Sequence, residues 1–179
     1  MSLPSLPKHI SPVLAELPPV GGHDPVSSNP HFLHAGQIHV SAHAESIVLI
    51  LGSCVAVCIW DPVNGIGGAT HYLLPSWDGK GVPSPRYGNV AVSALLQKLA
   101  DAGANGANLR AKVFGGGCLF DVMREASPKK DHLGSRNVEI ALELLAKERI
   151  PVVAKEVGGD RGQRIVFETG TGHASVKVL

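Results

Sequence analysis

The sequence predicts an α+β fold, a layered α/β sandwich of mixed β-sheets with two main helices. Short apolar runs rich in β-branched residues recur from Ser46 to Val178, each bounded by glycine, proline or Asn-Gly signals. Two stretches carry apolar residues at helical spacing, around Val92–Leu99 and Val138–Leu145. Many short strands against two helices give such a layered arrangement. A chain of 179 residues, 44% of them hydrophobic, can bury one real core.

Residues 1–30 stand apart from the rest. They hold seven of the 13 prolines (Pro4, Pro7, Pro12, Pro18, Pro19, Pro25 and Pro30), which deny the backbone donors that helices and sheets need. A flexible proline-rich tail is expected there, with a single domain over 31–179. Ser46–Trp60 reads as two buried strands meeting at a tight turn at Gly52-Ser53. Asp61-Pro62-Val63-Asn64-Gly65 is a turn signal, and Gly67–Leu74 resumes as a strand, so a hairpin with Val55–Trp60 is expected. Pro75–Arg86 is a Gly/Pro/Ser-rich loop. In the first helix Val92, Leu95, Leu96 and Leu99 share a face, and Gly103 is suited to the position after its end. In the second, Val138, Ala141, Leu142 and Leu145 do the same, with Asn137 as expected N-cap and Pro151 beyond the end. Leu109–Phe114, Val152–Val157, Arg164–Glu168 and Ala174–Val178 complete the strands.

The bulk properties exclude several classes of function. A formal net charge of +1 with no Lys/Arg cluster offers no grip on nucleic acid. No apolar run reaches the roughly 20 residues that span a bilayer, so no membrane insertion is expected. The first residues lack the basic and apolar regions of a secretory signal. Three cysteines make no disulfide framework and suit a reduced, cytoplasmic setting.

Chemistry has few candidate carriers. Cys54 follows Gly52-Ser53 at the turn, where a side chain leaves the pleat and backbone N–H groups can approach a substrate. Two readings stand beside each other: a nucleophile awaiting a basic neighbour, or a small buried hydrophobe. Cys58 lies inside a strand with apolar neighbours and reads as core. Cys118, after Gly115-Gly116-Gly117, reads equally as a ligand-adjacent or an exposed loop thiol. His71 lies in an otherwise apolar strand, where its ring needs a partner; the expected hairpin would return it towards Cys54. His31-x-x-His34 has metal-like spacing without a supporting helix or cysteine pair, and no metal or organic cofactor is expected. The glycines at 115–117 and 158–159 match no phosphate-binding pattern and read as turns with positive φ. Asp160–Arg164 reads as a solvated hairpin.

The ordered series Leu51-Gly52-Ser53-Cys54-Val55-Ala56-Val57-Cys58, Asp61-Pro62, His71-Tyr72-Leu73-Leu74-Pro75 resembles the CheD family of chemoreceptor glutamine deamidases. The resemblance continues through Tyr87-Gly88, Ala111–Gly116, Gly134-Ser135-Arg136-Asn137, Gly158–Gly162 and Glu168-Thr169-Gly170, from about Phe32 to Val178. It implies a cysteine-hydrolase fold related to deamidating toxin domains, with Cys54 as nucleophile and His71 as base. It implies methyl-accepting chemoreceptors as substrates and a CheC-type phosphatase as a further partner. The family often has a threonine five or six residues before the cysteine, where this chain has Leu49 and Val48. A backbone carbonyl near Val48 is the expected substitute for orienting His71, with backbone N–H groups near Gly52 and Ser53 facing the oxyanion.

On this reading the Cys54 thiolate attacks a glutamine carboxamide. His71 then protonates the departing ammonia and activates water against the thioester. The alternatives are an adaptor that binds receptors or the phosphatase without catalysis, and a cysteine hydrolase acting on other amides.

Overall fold

The computed structural model describes residues 29–118 and 132–179. The proline-rich segment expected as a tail lies almost entirely outside the described residues. Among the described residues nine strands form two mixed sheets. β1 (His31–Phe32), β3 (Ser46–Leu51), β8 (Gln163–Glu168) and β9 (Ala174–Val178) form one, in that order. β2 (Gln37–Ser41), β5 (Ile66–Tyr72), β4 (Val55–Asp61), β6 (Arg110–Gly115) and β7 (Val152–Val157) form the other. β1 runs parallel to β3 and β7 parallel to β6, and every other pairing is antiparallel. Two helices, α1 (Gly88–Asp101) and α2 (Leu133–Lys147), cover the five-stranded sheet.

Strand alternation sorts β4 between two cores. Val55, Val57 and Ile59 face the helices, packing with Leu95, Leu99, Ala141 and Leu145. Ala56, Cys58 and Trp60 face the other sheet and meet Ile47, Leu49, Leu51, Ile165 and Phe167. All seven residues of β4 are buried, which is why its sequence is apolar without alternation.

The expected hairpin is present, with β4 and β5 antiparallel through the turn at residues 62–65. Asp61 anchors that turn, its carboxylate accepting from the Val63 and Asn64 N–H groups and, across the fold, from Asn105. α1 ends as expected, with Gly103 left-handed at φ 97°.

Two expectations need correction. α2 begins at Leu133, and its N-cap is His132, whose ring accepts from the Ser135 N–H; Asn137 lies inside the helix, fully buried. The polar run after β7 is no hairpin, because β7 and β8 belong to different sheets. Its Gln163 is buried and accepts from the Gly115 N–H at 3.1 Å. Finally, β1 and β2 escape sequence reading. β1 is two residues long, and β2 is short and only partly buried, so neither leaves a periodic apolar signature.

Candidate active site

Cys54 sits in the bend between β3 and β4, where the chain passes from one sheet to the other. It is partly buried, whereas Cys58 is completely enclosed four residues on. Burial pushes the Cys54 thiol up from its ordinary pKa, against a smaller lowering by its own backbone N–H. Cys58 is raised much further by full burial.

Each carbonyl of the bend is held by a separate donor. Gly117 N–H donates to Gly52 O and Gly116 N–H to Cys54 O, both at 2.8 Å. Asn137 Nδ2 donates to Ser53 O at 3.1 Å. In a trans peptide the N–H points opposite to its C=O. The N–H groups of Ser53 and Cys54 therefore point away from the glycine segment and α2. Gly115 makes the glycine segment possible. Its φ is 93°, and a Cβ there would come within 2.3 Å of Cys54 O. The expected positive φ values hold at Gly115, Gly116, Gly158 and Gly159 but not at Gly117.

His71 is on β5, 5% exposed, opposite Ala56 in the hairpin register. It shares the inter-sheet face with Ala69. Cys54 lies two residues before Ala56, in the bend just ahead of β4, and so falls diagonally from His71. His71 Nδ1 donates to the Leu33 carbonyl at 3.2 Å. A carbonyl only accepts, so Nδ1 carries the proton and Nε2 is left with its lone pair. Burial lowers the His71 pKa, opposed by the Leu33 bond and aided by His34. Both groups are thus favoured in their neutral forms.

The orienting carbonyl was expected near Val48, and the structure puts it one step away. Val48 O accepts from the Leu33 N–H at 2.9 Å, and it is Leu33 O that takes the histidine. Leu33 lies between two strands that the sequence does not announce, and a backbone acceptor leaves no side-chain signal.

Sequence reading also missed Asn137. Besides Ser53 O, its Nδ2 donates to Leu73 O at 2.9 Å, so one buried amide joins the cysteine bend to the end of the histidine strand. Tyr72 Oη donates to the Asn137 carbonyl and secures the same turn of α2. The asparagine in Gly134-Ser135-Arg136-Asn137 was the available signal, but its helical position makes it a clamp rather than a cap.

A thiol in a glycine-braced bend, diagonal to a histidine whose tautomer is set by a carbonyl, is the layout of a cysteine-hydrolase-like protein. A sequence profile described as CheD chemotactic sensory transduction matches residues 73–178, more than half of the chain. The chain belongs to the CheD family. It is similar to the "Probable chemoreceptor glutamine deamidase CheD 1" of Anaeromyxobacter dehalogenans, with 44% identity over 173 residues, 97% of this chain and 95% of the relative. The corresponding protein of Trichlorobacter lovleyi is 44% identical over 142 residues, covering 79% of this chain and 86% of its own. That of Sulfurimonas denitrificans is 37% identical over 154 residues, 83% and 93%. The profile starts after Cys54 and His71, whereas the first of these alignments is long enough to span both. Among the described residues no helix is long and apolar enough to cross a membrane.

Proposed function

We propose that this protein deamidates glutamine side chains on the cytoplasmic domains of methyl-accepting chemoreceptors, with Cys54 as nucleophile and His71 as general base and acid. The reading is carried by the diagonal placement of Cys54 and His71 on one hairpin, with the Nδ1 proton of His71 fixed on Leu33 O. The names of relatives similar over most of the chain supply the substrate class.

The resting pair is neutral, thiol beside imidazole. His71 Nε2 takes the thiol proton as sulfur attacks the carboxamide carbon, so the thiolate exists only as the C–S bond forms. The N–H groups of Ser53 and Cys54 receive the oxyanion, because their peptide planes are locked from the carbonyl side. His71 returns its proton to the leaving nitrogen, ammonia departs, and a thioester remains. Water, deprotonated by His71, cleaves it to glutamate and restores the thiol. The histidine alternates between neutral and charged forms while Leu33 O holds Nδ1 in both. The receptor gains one negative charge per glutamine converted. Action in the cytoplasm, where a thiol stays reduced, belongs to the same proposal.

Mass spectrometry of a receptor cytoplasmic fragment incubated with the protein tests it. Glutamine-to-glutamate conversion with matching ammonia release is expected, absent with Cys54→Ala. A fragment left unchanged by the wild-type protein but retained by it in pull-down would replace catalysis with an adaptor role.

A further inference from the structure

Away from Cys54, three ligand-type side chains from separate segments meet at one edge of the sandwich. His31 is on β1, at the edge of the four-stranded sheet, and His39 is on β2, at the edge of the five-stranded sheet. Glu45 immediately precedes β3. One ligand atom from each lies within 4.8 Å of those of the other two. The imidazoles stack with centroids 3.8 Å apart and planes 13° from parallel, and His39 Nε2 is hydrogen-bonded to Glu45 Oε1. We infer that His31, His39 and Glu45 form a binding site for a divalent transition-metal ion of the zinc class.

Two imidazoles and one carboxylate are a donor set that suits zinc and its neighbours, whereas calcium and magnesium take all-oxygen sites. Zinc bonds of about 2.0–2.2 Å at tetrahedral angles hold ligand atoms about 3.4 Å apart. The ligand atoms already lie within 4.8 Å of one another, and the two imidazoles would turn out of their stack so that both in-plane lone pairs face the ion. The backbone beneath them is already fixed. His39 pairs with Ala69, and Phe32, next to His31, pairs with Val48. Glu45 N–H donates to Thr169 Oγ1 at 3.0 Å, and Glu45 O accepts from Thr169 N–H. Little ordering is therefore left for the ion to impose. An ion pair between His39 and Glu45 would account for two of the residues but not for the stacked His31.

The His31-x-x-His34 spacing conceals this arrangement. The histidine that joins His31 comes from the edge strand of the opposite sheet, and the carboxylate follows six residues later.

The test is calorimetric titration with Zn²⁺ at about pH 7.5, above the usual imidazole pKa. The full chain should carry Cys54→Ala and Cys118→Ala, so that these thiols do not compete. A binding event is expected that is weakened about tenfold or more by His39→Ala and by the isosteric Glu45→Gln, more than loss of an outer-shell partner costs at the low end. Zinc should raise the melting temperature of the parent and leave that of His39→Ala unmoved. Ring nitrogens of His31 and His39 should shift in ¹⁵N spectra on zinc addition. Metal-free melting curves establish that both variants fold. Absence of binding, leaving only an ion pair, would overturn the site. Binding unchanged in both variants would overturn it equally.

Discussion

Cys54 and Cys58 lie four residues apart in one apolar run, yet one stands partly exposed in a bend and the other is sealed in the core. The difference comes from the path of the chain. Cys58 is mid-strand in β4, with Lys112 opposite it in the register and the other sheet above. Cys54 is where the chain leaves one sheet for the other, and its bend is held by bonds to carbonyls rather than by side-chain packing. An identical residue type acquires a role from the backbone around it. Burial raises both thiols, and His71 lies on the register diagonal of each, but Cys54 stands in the partly exposed bend while Cys58 is enclosed.

The largest test of this contrast exchanges the two sulfurs for hydrogen. Cys54→Ala is expected to lower deamidation by at least about 10³-fold without loss of fold. Cys58→Ala should leave a small cavity, costing about 1–2 kcal/mol, and retain turnover in the folded protein. Denaturant melts and ammonia assays on both variants check this pair, and the reverse pattern would refute the contrast.

Next in size is His71. His71→Gln should cost about 10²–10⁴ in rate, the usual worth of a general acid–base group. Because the folded pKa of His71 is depressed, the unfolded chain binds more protons between that value and about 6.5. Stability should therefore fall as pH drops from about 6.5 through the lowered value, and be regained above it. Urea midpoints across that range, flattened in His71→Gln, would verify the sign. Turnover should lose its acid limb over the same interval, as the base becomes protonated.

Asn137→Ala sharpens the comparison from the other side, by freeing the bend without touching sulfur. It strips the Nδ2 donor from Ser53 O and Leu73 O, at about 2–4 kcal/mol for two buried acceptors. It should lower kcat more than it raises KM, since it loosens geometry rather than substrate contact. A fall in melting temperature with unchanged kcat would reduce Asn137 to a packing residue.

The smallest effect is expected at the position where the family often carries threonine. With Leu33 O already on Nδ1, a new hydroxyl in Val48→Thr or Leu49→Thr should change the rate by no more than about threefold, far below an acid–base contribution. Stability should fall by about 1–3 kcal/mol if the hydroxyl is buried without a partner. A tenfold gain in rate would mean that the carbonyl holds the ring poorly.

Much of this architecture was legible because it rests on local pattern. The strand–bend–strand around Gly52-Ser53, the Asn-Gly hairpin and both helical faces all follow from spacing and turn chemistry. What escaped was held by backbone atoms or by contacts far apart in sequence. The Leu33 carbonyl belongs to an arch between two weak strands. Asn137 is placed by helix register, and the helix cap falls five positions before the expected one. His39 and Glu45 join His31 only once two sheets have been stacked. Sequence periodicity reports faces of elements, whereas these sites are made where elements meet.

The order of the strands also bears on when the protein can first work. The Cys54–His71 hairpin is among the earliest parts of the domain to leave the ribosome, and its contacts are local. The sheet behind it is not: β3 is flanked by β8, whose residues come from the last tenth of the chain. Gln163, at the start of β8, also supplies the acceptor for Gly115 in the segment that braces the cysteine bend. A nascent chain would hold both the thiol and the imidazole yet lack this support until β8 has emerged. A chain cut before β8 should accordingly keep its thiol and imidazole but lack the turnover proposed above.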